Sequence, residues 1–120
     1  MNQPLEHVSF DKAHEVREGE NWRLELLNLA ASVQVGRITL QPGWKWSEHM
    51  KPAADTHLCM TPHQQYHVTG RLDIVMQDGR SIQARPGDVT SLPAGHDAWV
   101  VGDEPVVLID WHGASLWARS

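Results

Sequence analysis

The chain has 120 residues, a formal net charge of −5, 21% charged residues and 41% hydrophobic residues. One domain over residues 1–120 is expected, because half this length would hold too small a core. The acidic balance argues against nucleic acid as a partner, since phosphate neutralisation needs clustered Lys and Arg. No apolar run approaches the ~20 residues that span a bilayer, so we expect no membrane association.

Two further features bear on the cellular setting. The N-terminal segment has neither the basic start nor the apolar stretch that is typical of a signal peptide. The chain carries a single Cys, which excludes an internal disulfide. Together these features predict a reducing, cytoplasmic setting.

The pattern of short apolar runs predicts a β protein. The acidic segment at residues 11–20 predicts a solvated cap or a short helix. Beyond it, apolar runs recur between Gly, Pro and Asp, which are common turn residues. In chain order the predicted strands cover residues 22–29, 33–40, 44–51, 57–61, 63–69, 72–77, 81–85, 89–92, 97–101 and 106–112. Long segments of helical period are missing, so the pattern favours an all-β sandwich or barrel.

The eight histidines are numerous for this length, and several of them follow one alternation. The residues of shared parity are His57, Cys59, His63, Gln65 and His67. Successive strand side chains point to opposite faces, so all five project to one side if the bend at Pro62 preserves the alternation. His and Cys are ligands for zinc, iron, nickel and copper. The residues alone leave two alternatives to metal binding open. Cys59 can be a small buried apolar residue, and His57 can lie in a loop.

A second set of residues resembles the cupins, a family of small double-stranded β-helix barrels. The second cupin motif is G, five residues, P-x-G, two residues, H. Gly87 and the run 93–95, which is Pro-Ala-Gly, match it in register. The histidine departs from the motif, because Ala98 occupies its position whereas His96 directly follows the last glycine.

The first cupin motif is similar but split. Gly43, five residues and His49 fit its opening. His57-x-Cys59, three residues, His63, six residues and a glycine fit the remainder, with Cys59 where the family has His and His63 where it has Glu. About eight extra residues separate the halves. The resemblance covers residues 34–110 and extends to bacterial single-domain cupins of uncertain function.

This resemblance implies a double-stranded β-helix (jelly-roll) barrel with a short N-terminal extension and a metal site in the barrel mouth. Cupins typically hold their metal with three His and one Glu. Carried over to this chain, the implied ligands are His57, Cys59, His63 and His96. A set of three His and one Cys favours Zn²⁺, Fe²⁺ or Ni²⁺ over Mn²⁺ or Mg²⁺, so we expect a divalent transition metal as cofactor.

Other side chains are candidates for the remainder of the site. His67 and His49 are candidate general bases, since imidazole titrates near neutrality. The predicted substrate pocket consists of Gln65, Tyr66, Trp46, Asp97 and Trp99. Asp97 is a candidate carboxylate for orienting an imidazole. Trp99 is a candidate wall that stacks on a flat ligand, although large aromatic residues also fill cores and subunit interfaces.

Two hypotheses of function follow. The first is metal-dependent chemistry of dioxygenase, isomerase or lyase type on an unidentified small organic molecule. The alternative is a non-catalytic module that binds or senses a small molecule and requires no metal. The departures from the cupin ligand set favour this alternative. Small cupins are commonly dimers, so we also expect a homodimer, with the N-terminal segment and residues 116–119 as candidate interface pieces.

Overall fold

The computed structural model describes residues 4–50 and 58–114. Within these ranges the chain forms nine strands, one short α-helix and two single turns of 3-10 helix. The strands are β1 (Glu15–Gly19), β2 (Trp22–Leu29), β3 (Val33–Leu40), β4 (His63–Thr69), β5 (Arg71–Met76), β6 (Ser81–Ala84), β7 (Val89–Leu92), β8 (His96–Val101) and β9 (Val106–His112), and the helix is α1 (Trp46–His49). Among the described residues, no helix has the length and apolar character needed to cross a membrane.

The strands form two antiparallel sheets. The larger sheet has the order β1-β2-β3-β9-β4-β7, and the smaller has the order β6-β5-β8. One core cluster draws Leu24, Ile38 and Leu108 from the larger sheet and Leu72 and Ile74 from the smaller. The apolar faces of both sheets are therefore buried against each other. The predicted all-β architecture of two packed sheets is confirmed.

The alternation of buried and exposed residues explains the local accuracy of the strand predictions. On β4, His63, Gln65 and His67 are buried, whereas Tyr66 and Val68 are exposed. Outside residues 44–51 and 57–61, each predicted strand has a counterpart whose ends lie within one residue of it. Residues 57–61 fall partly outside the described residues, and Cys59 there forms an isolated bridge with His96.

The predicted strand at residues 44–51 is wrong, because part of it is helix α1. Lys45 pairs with Trp99 in an isolated bridge, and the chain then turns into the helix. The carboxylate of Asp97 accepts a hydrogen bond of 3.0 Å from the backbone N–H of Ser47, in the first turn. An acceptor there satisfies one of the N–H groups that a helix leaves unpaired. The first turn of the helix is therefore capped by a residue 50 positions away, a contact that no local pattern encodes.

The acidic N-terminal segment is a turn of 3-10 helix at Phe10–Lys12 followed by edge strand β1. The predicted cap or short helix therefore accounts for its first turn only. Strand β1 is mostly exposed, so it lacks the apolar alternation that marks a strand in sequence. The ring of Phe10 packs 5.0 Å from the Arg37 guanidinium, which is itself paired with Glu25. These contacts fasten the extension to the outside of the barrel.

Candidate metal centre

Three of the predicted metal ligands meet inside the barrel. The ligand atoms of Cys59, His63 and His96 all lie within 4.8 Å of one another, and all three residues are buried. His63 opens β4 of the larger sheet and His96 opens β8 of the smaller, so the cluster joins the two sheets. Cys59 reaches it because its backbone N–H donates to the carbonyl of His96 at 2.8 Å. The remaining predicted ligand, His57, lies outside the described residues.

His96 occupies an inward position on β8. Its neighbours on this face are Ala98 and Val100, and all three are buried. Ala98 holds the place of the cupin histidine, so His96 enters the cavity from the preceding inward position of the same strand. The Nδ1 atom of His96 lies 2.7 Å from the carbonyl oxygen of Pro93. A carbonyl only accepts, so Nδ1 carries the proton and the neutral ring keeps a lone pair on Nε2.

His63 is held in the same way by a carboxylate. Its Nδ1 atom lies 2.7 Å from Oδ2 of Asp110, and its Nε2 atom lies 3.6 Å from the Cys59 sulfur. The carboxylate fixes the proton on Nδ1, so the lone pair of the neutral ring lies on Nε2, the nitrogen that a metal would bind. The rings of His63 and His96 meet edge to face, with centroids 5.8 Å apart. His63 therefore presents Nε2 to the Cys59 sulfur, and the ligand atom of His96 lies within 4.8 Å of the same sulfur.

Asp110 is the residue beside the cluster that sequence reasoning missed. It is 0% exposed, and it also accepts hydrogen bonds from Gln65 Nε2 at 3.1 Å and from the His112 backbone N–H at 2.9 Å. The orienting role predicted for Asp97 belongs instead to Asp110, since Asp97 binds the backbone of α1 and of its own strand. One signal was available in sequence: on β9 this Asp shares the inward face with apolar residues.

The charges in the cluster compensate each other. Burial alone would raise the pKa of the Cys59 thiol, but hydrogen bonds to His63 and His96 and the charges on those rings lower this pKa to about 6. Burial alone would lower the pKa of His63, but its hydrogen bonds to Asp110 and Cys59, with their negative charges, raise it to about 9. At neutral pH the metal-free cluster is therefore a thiolate beside an imidazolium.

The cluster borders a small inner cavity. Its volume is about 20 Å³, which is room for about one water molecule. The lining residues are Leu40, Trp44, Trp46, His63, Gln65, Leu72, Leu92, His96, Ala98 and Leu108. A larger groove of about 190 Å³ lies outside it between β6 and β7. Leu92 lines both spaces and so forms a wall between them.

The donor set fits a divalent transition metal. In a tetrahedral zinc site, metal–sulfur and metal–nitrogen bonds of about 2.3 Å and 2.05 Å place the two ligand atoms about 3.6 Å apart. The distance from Cys59 Sγ to His63 Nε2 is 3.6 Å. Each histidine also has the outer hydrogen bond that metal-binding imidazoles almost always make. One thiolate and two imidazoles suit zinc, iron and nickel.

Both predicted general bases lie away from the cluster. His67 is buried on β4, where its Nε2 atom lies 2.9 Å from the Thr90 hydroxyl, and burial lowers its pKa. The Nδ1 atom of His49 accepts from the Lys45 backbone N–H at 3.0 Å, and its Nε2 atom lies 3.9 Å from a Glu20 carboxylate oxygen. Both imidazoles have partners of their own, and neither lines the inner cavity.

The predicted pocket residues divide between the two faces of the strands. Gln65 and Trp46 line the inner cavity. Tyr66 is 42% exposed on the outer face of β4, because it has the opposite parity to Gln65. Trp99 likewise belongs to the outward set of β8, with the Lys45 ammonium 5.4 Å from its ring. The structure therefore does not bring Tyr66 or Trp99 into the cavity.

Comparison with known proteins places this architecture. No protein-family model and no curated protein matches the chain. A protein of unknown function from Rhizobium leguminosarum bv. viciae 3841 matches with a TM-score of 0.65 and 14% identity, over 92% of this chain and 97% of that one. A cupin-like protein from Thermotoga maritima has a TM-score of 0.55 and 17% identity, over 76% of this chain and 67% of that one.

A third solved structure belongs to a named enzyme. Oxalate decarboxylase from Bacillus subtilis, which has Mn(II) centres, matches with a TM-score of 0.60 and 24% identity. The match covers 82% of this chain but only 27% of the decarboxylase. At such identities a structural match establishes the fold. The chain is therefore a protein of the cupin fold, as its motifs predicted.

Proposed function

We propose that the protein is a metal-dependent enzyme acting on a small organic molecule, with Cys59, His63 and His96 as ligands of a divalent transition metal. One observation carries the proposal. Two buried imidazoles have Nδ1 hydrogen-bonded to fixed acceptors, and their ligand atoms lie within 4.8 Å of one cysteine sulfur. Zinc, iron or nickel is the proposed cofactor. The proposed fourth ligand is His57 or a water molecule.

The residues of the cluster divide the work. When bound, the metal would supply Lewis-acid chemistry, polarising a substrate oxygen and lowering the pKa of a coordinated water. Cys59 provides a negative charge, and Asp110 holds the proton of His63 on Nδ1. Leu72 and Leu108 on the cavity wall exclude bulk water, which strengthens the electrostatic interactions inside.

The cavity sizes restrict the substrate. A space of about 20 Å³ admits only a small polar end group beside the cluster. The body of the substrate is proposed to lie in the groove of about 190 Å³ between β6 and β7. Leu92 separates the two spaces, so its side chain has to change rotamer when a substrate spans them. Ile74, Met76 and Ile82 make that groove largely apolar.

Metal content is the first test. The protein is purified without a histidine tag, and its metals are measured by mass spectrometry; we expect about one transition-metal ion per chain. His63→Ala is expected to lose the metal. His67→Gln is the matched control, since His67 is buried on the same face of β4 but bonds to Thr90. Retention of metal by His63→Ala would refute the ligand assignment.

Catalysis is tested separately from binding. Small carboxylic acids are the first substrates to assay, because a decarboxylase of one such acid, oxalate, shares the fold, and turnover has to disappear with the metal and return on its addition. A protein that holds no metal and gains none from added Zn²⁺, Fe²⁺ or Ni²⁺ would favour the alternative. That alternative is a non-catalytic small-molecule-binding or sensing module.

We also propose a homodimer. Side chains on the outer face of the larger sheet are apolar and exposed, and three of them are Tyr66, Val68 and Val89. Tyr66 lies opposite Val89 on β7 and opposite Ile109 on β9, so these side chains are contiguous. Exposed apolar patches commonly mark interfaces. A monomeric mass by light scattering would contradict the proposal. Residues 116–119 lie outside the described residues.

A further inference from the structure

Gln65 carries an unsatisfied acceptor next to the cluster. The residue is 3% exposed and lines the inner cavity. Its Oε1 atom is fully buried and has no hydrogen-bond partner among residues 4–50 and 58–114. Buried polar atoms are normally paired, so an acceptor that the described residues leave unpaired beside an open space points to a bound molecule as its partner.

The orientation of this amide is determined by its neighbour. Gln65 Nε2 lies 3.1 Å from Oδ2 of Asp110, which also accepts from His63. A carboxylate oxygen that already accepts a hydrogen bond from an imidazole N–H can only accept from its second partner as well, and only the NH₂ end of the amide donates. A flipped amide would place two acceptors against each other. Asp110 therefore keeps the carbonyl end of Gln65 from turning toward it.

We infer that Gln65 Oε1 accepts a hydrogen bond from the molecule bound beside the cluster, and so selects substrates whose reacting end bears an O–H or N–H group. The inference rests on the proposed function and deepens it. Hydroxy acids, alcohols and amines satisfy the acceptor, whereas ketones, ethers and halides leave it unpaired. A site built to pair a hydroxyl discriminates strongly against analogues that lack one.

Glycolate and fluoroacetate test this selection. Both are small monoanions. Glycolate carries a hydroxyl group that donates a hydrogen bond, whereas fluoroacetate carries in its place a fluorine atom of similar size that cannot donate. The full chain is loaded with Co²⁺, and each probe is titrated by its effect on the visible spectrum. Gln65→Met is expected to lower the glycolate-to-fluoroacetate affinity ratio about tenfold, the loss of one hydrogen bond to a buried group. Fluoroacetate affinity is expected to change less than about twofold.

The matched control is Gln64→Met, which makes the same substitution on the exposed face of the same strand and is expected to leave the ratio unchanged. An unchanged ratio in Gln65→Met, or no binding of either probe to the wild-type protein, overturns the inference. Metal content is measured in every variant, so failure to hold Co²⁺ is recognised as failure of the proposed function instead. In that case the same titrations are made by calorimetry on the metal-free chain. An unchanged glycolate-to-fluoroacetate affinity ratio in Gln65→Met overturns the inference there too.

A structure of the glycolate complex provides a second readout that does not depend on the variant folding. We expect the hydroxyl oxygen within about 2.6–3.2 Å of Gln65 Oε1. A hydroxyl placed elsewhere in the barrel, with Oε1 still unpaired, would contradict the assignment.

Discussion

Replacing Asp110 by Asn tests whether the carboxylate tunes the metal centre. Asp110 Oδ2 accepts from His63 Nδ1 at 2.7 Å and from Gln65 Nε2 at 3.1 Å. In Asp110→Asn an NH₂ group replaces one oxygen, while the other can keep the bond to the His112 N–H. The amide then donates to His63 Nδ1, which moves the imidazole proton to Nε2. The same change of tautomer occurs in serine hydrolases whose triad Asp is changed to Asn. In this protein, Nε2 then has to lose its proton before it can bind a metal.

The expected loss in metal affinity follows from this tautomer change. Changes to groups that orient metal-bound histidines typically cost 10–100-fold in affinity, or about 1.4–2.8 kcal/mol. Zn²⁺ affinity is measured at neutral pH by competition with a chromophoric chelator. In the metal-free variant the pKa of His63 is also expected to fall, because the carboxylate that raises it is gone.

Asp97→Asn is the matched control. Asp97 is a buried aspartate like Asp110, but its carboxylate accepts from the backbone N–H groups of Ser47 and Ala98. The amide oxygen of Asn can accept the same two bonds. The control is therefore expected to bind Zn²⁺ with wild-type affinity. Equal affinities for the wild-type protein and Asp110→Asn, with both folded, would refute the role given to the Asp110 carboxylate.

The remaining predictions concern the thiolate, its pH dependence and the helix. Cys59→Ser in the Co²⁺-loaded protein should lose the sulfur-to-metal charge-transfer band, and a band that persists would exclude Cys59 as a ligand. Between pH about 6 and 9 His63 is protonated and Cys59 is not, so binding one metal should release about one proton. Release should fall toward zero above pH 9 and increase below pH 6, as measured by calorimetry in buffers of different ionisation enthalpy; no pH dependence would contradict the ion pair. Asp97→Ala removes the acceptor of two backbone N–H groups and should cost about 1–3 kcal/mol in urea unfolding; an unchanged midpoint would show that α1 does not need it.

Local information accounts for most of the strands. In β4 the alternation of buried and exposed residues is visible in the sequence, because a half-buried strand has a period of two. Asp78 and Gly79 mark the hairpin between β5 and β6, where Gly79 has a φ of 94°. Such a backbone conformation favours glycine for steric reasons that are local to the turn.

Contacts between distant residues account for the errors. The sequence of residues 44–51 alternates as a strand would, yet residues 46–49 form a helix. The Asp97 carboxylate, 50 positions away, accepts a hydrogen bond from the Ser47 N–H in its first turn. Tyr66 and Gln65 are adjacent in sequence and were assigned to one pocket, but strand parity places them on opposite faces. His67 has the parity of the metal ligands and is buried, but its position further along β4 gives it Thr90 as partner.

The sequence by itself determined an all-β sandwich or barrel and a ligand-rich inward face around Cys59 and His63, because both follow from local alternation and turn chemistry. The cupin type of that barrel was implied by the resemblance of its motifs. The tertiary structure decided which side chains meet. His96 rather than Asp97 enters the cavity because the bridge between β8 and Cys59 sets the register. Asp110 orients His63 because β9 pairs with β4 in the larger sheet. Strand pairing of this kind depends on contacts across the whole chain, and no local pattern specifies it.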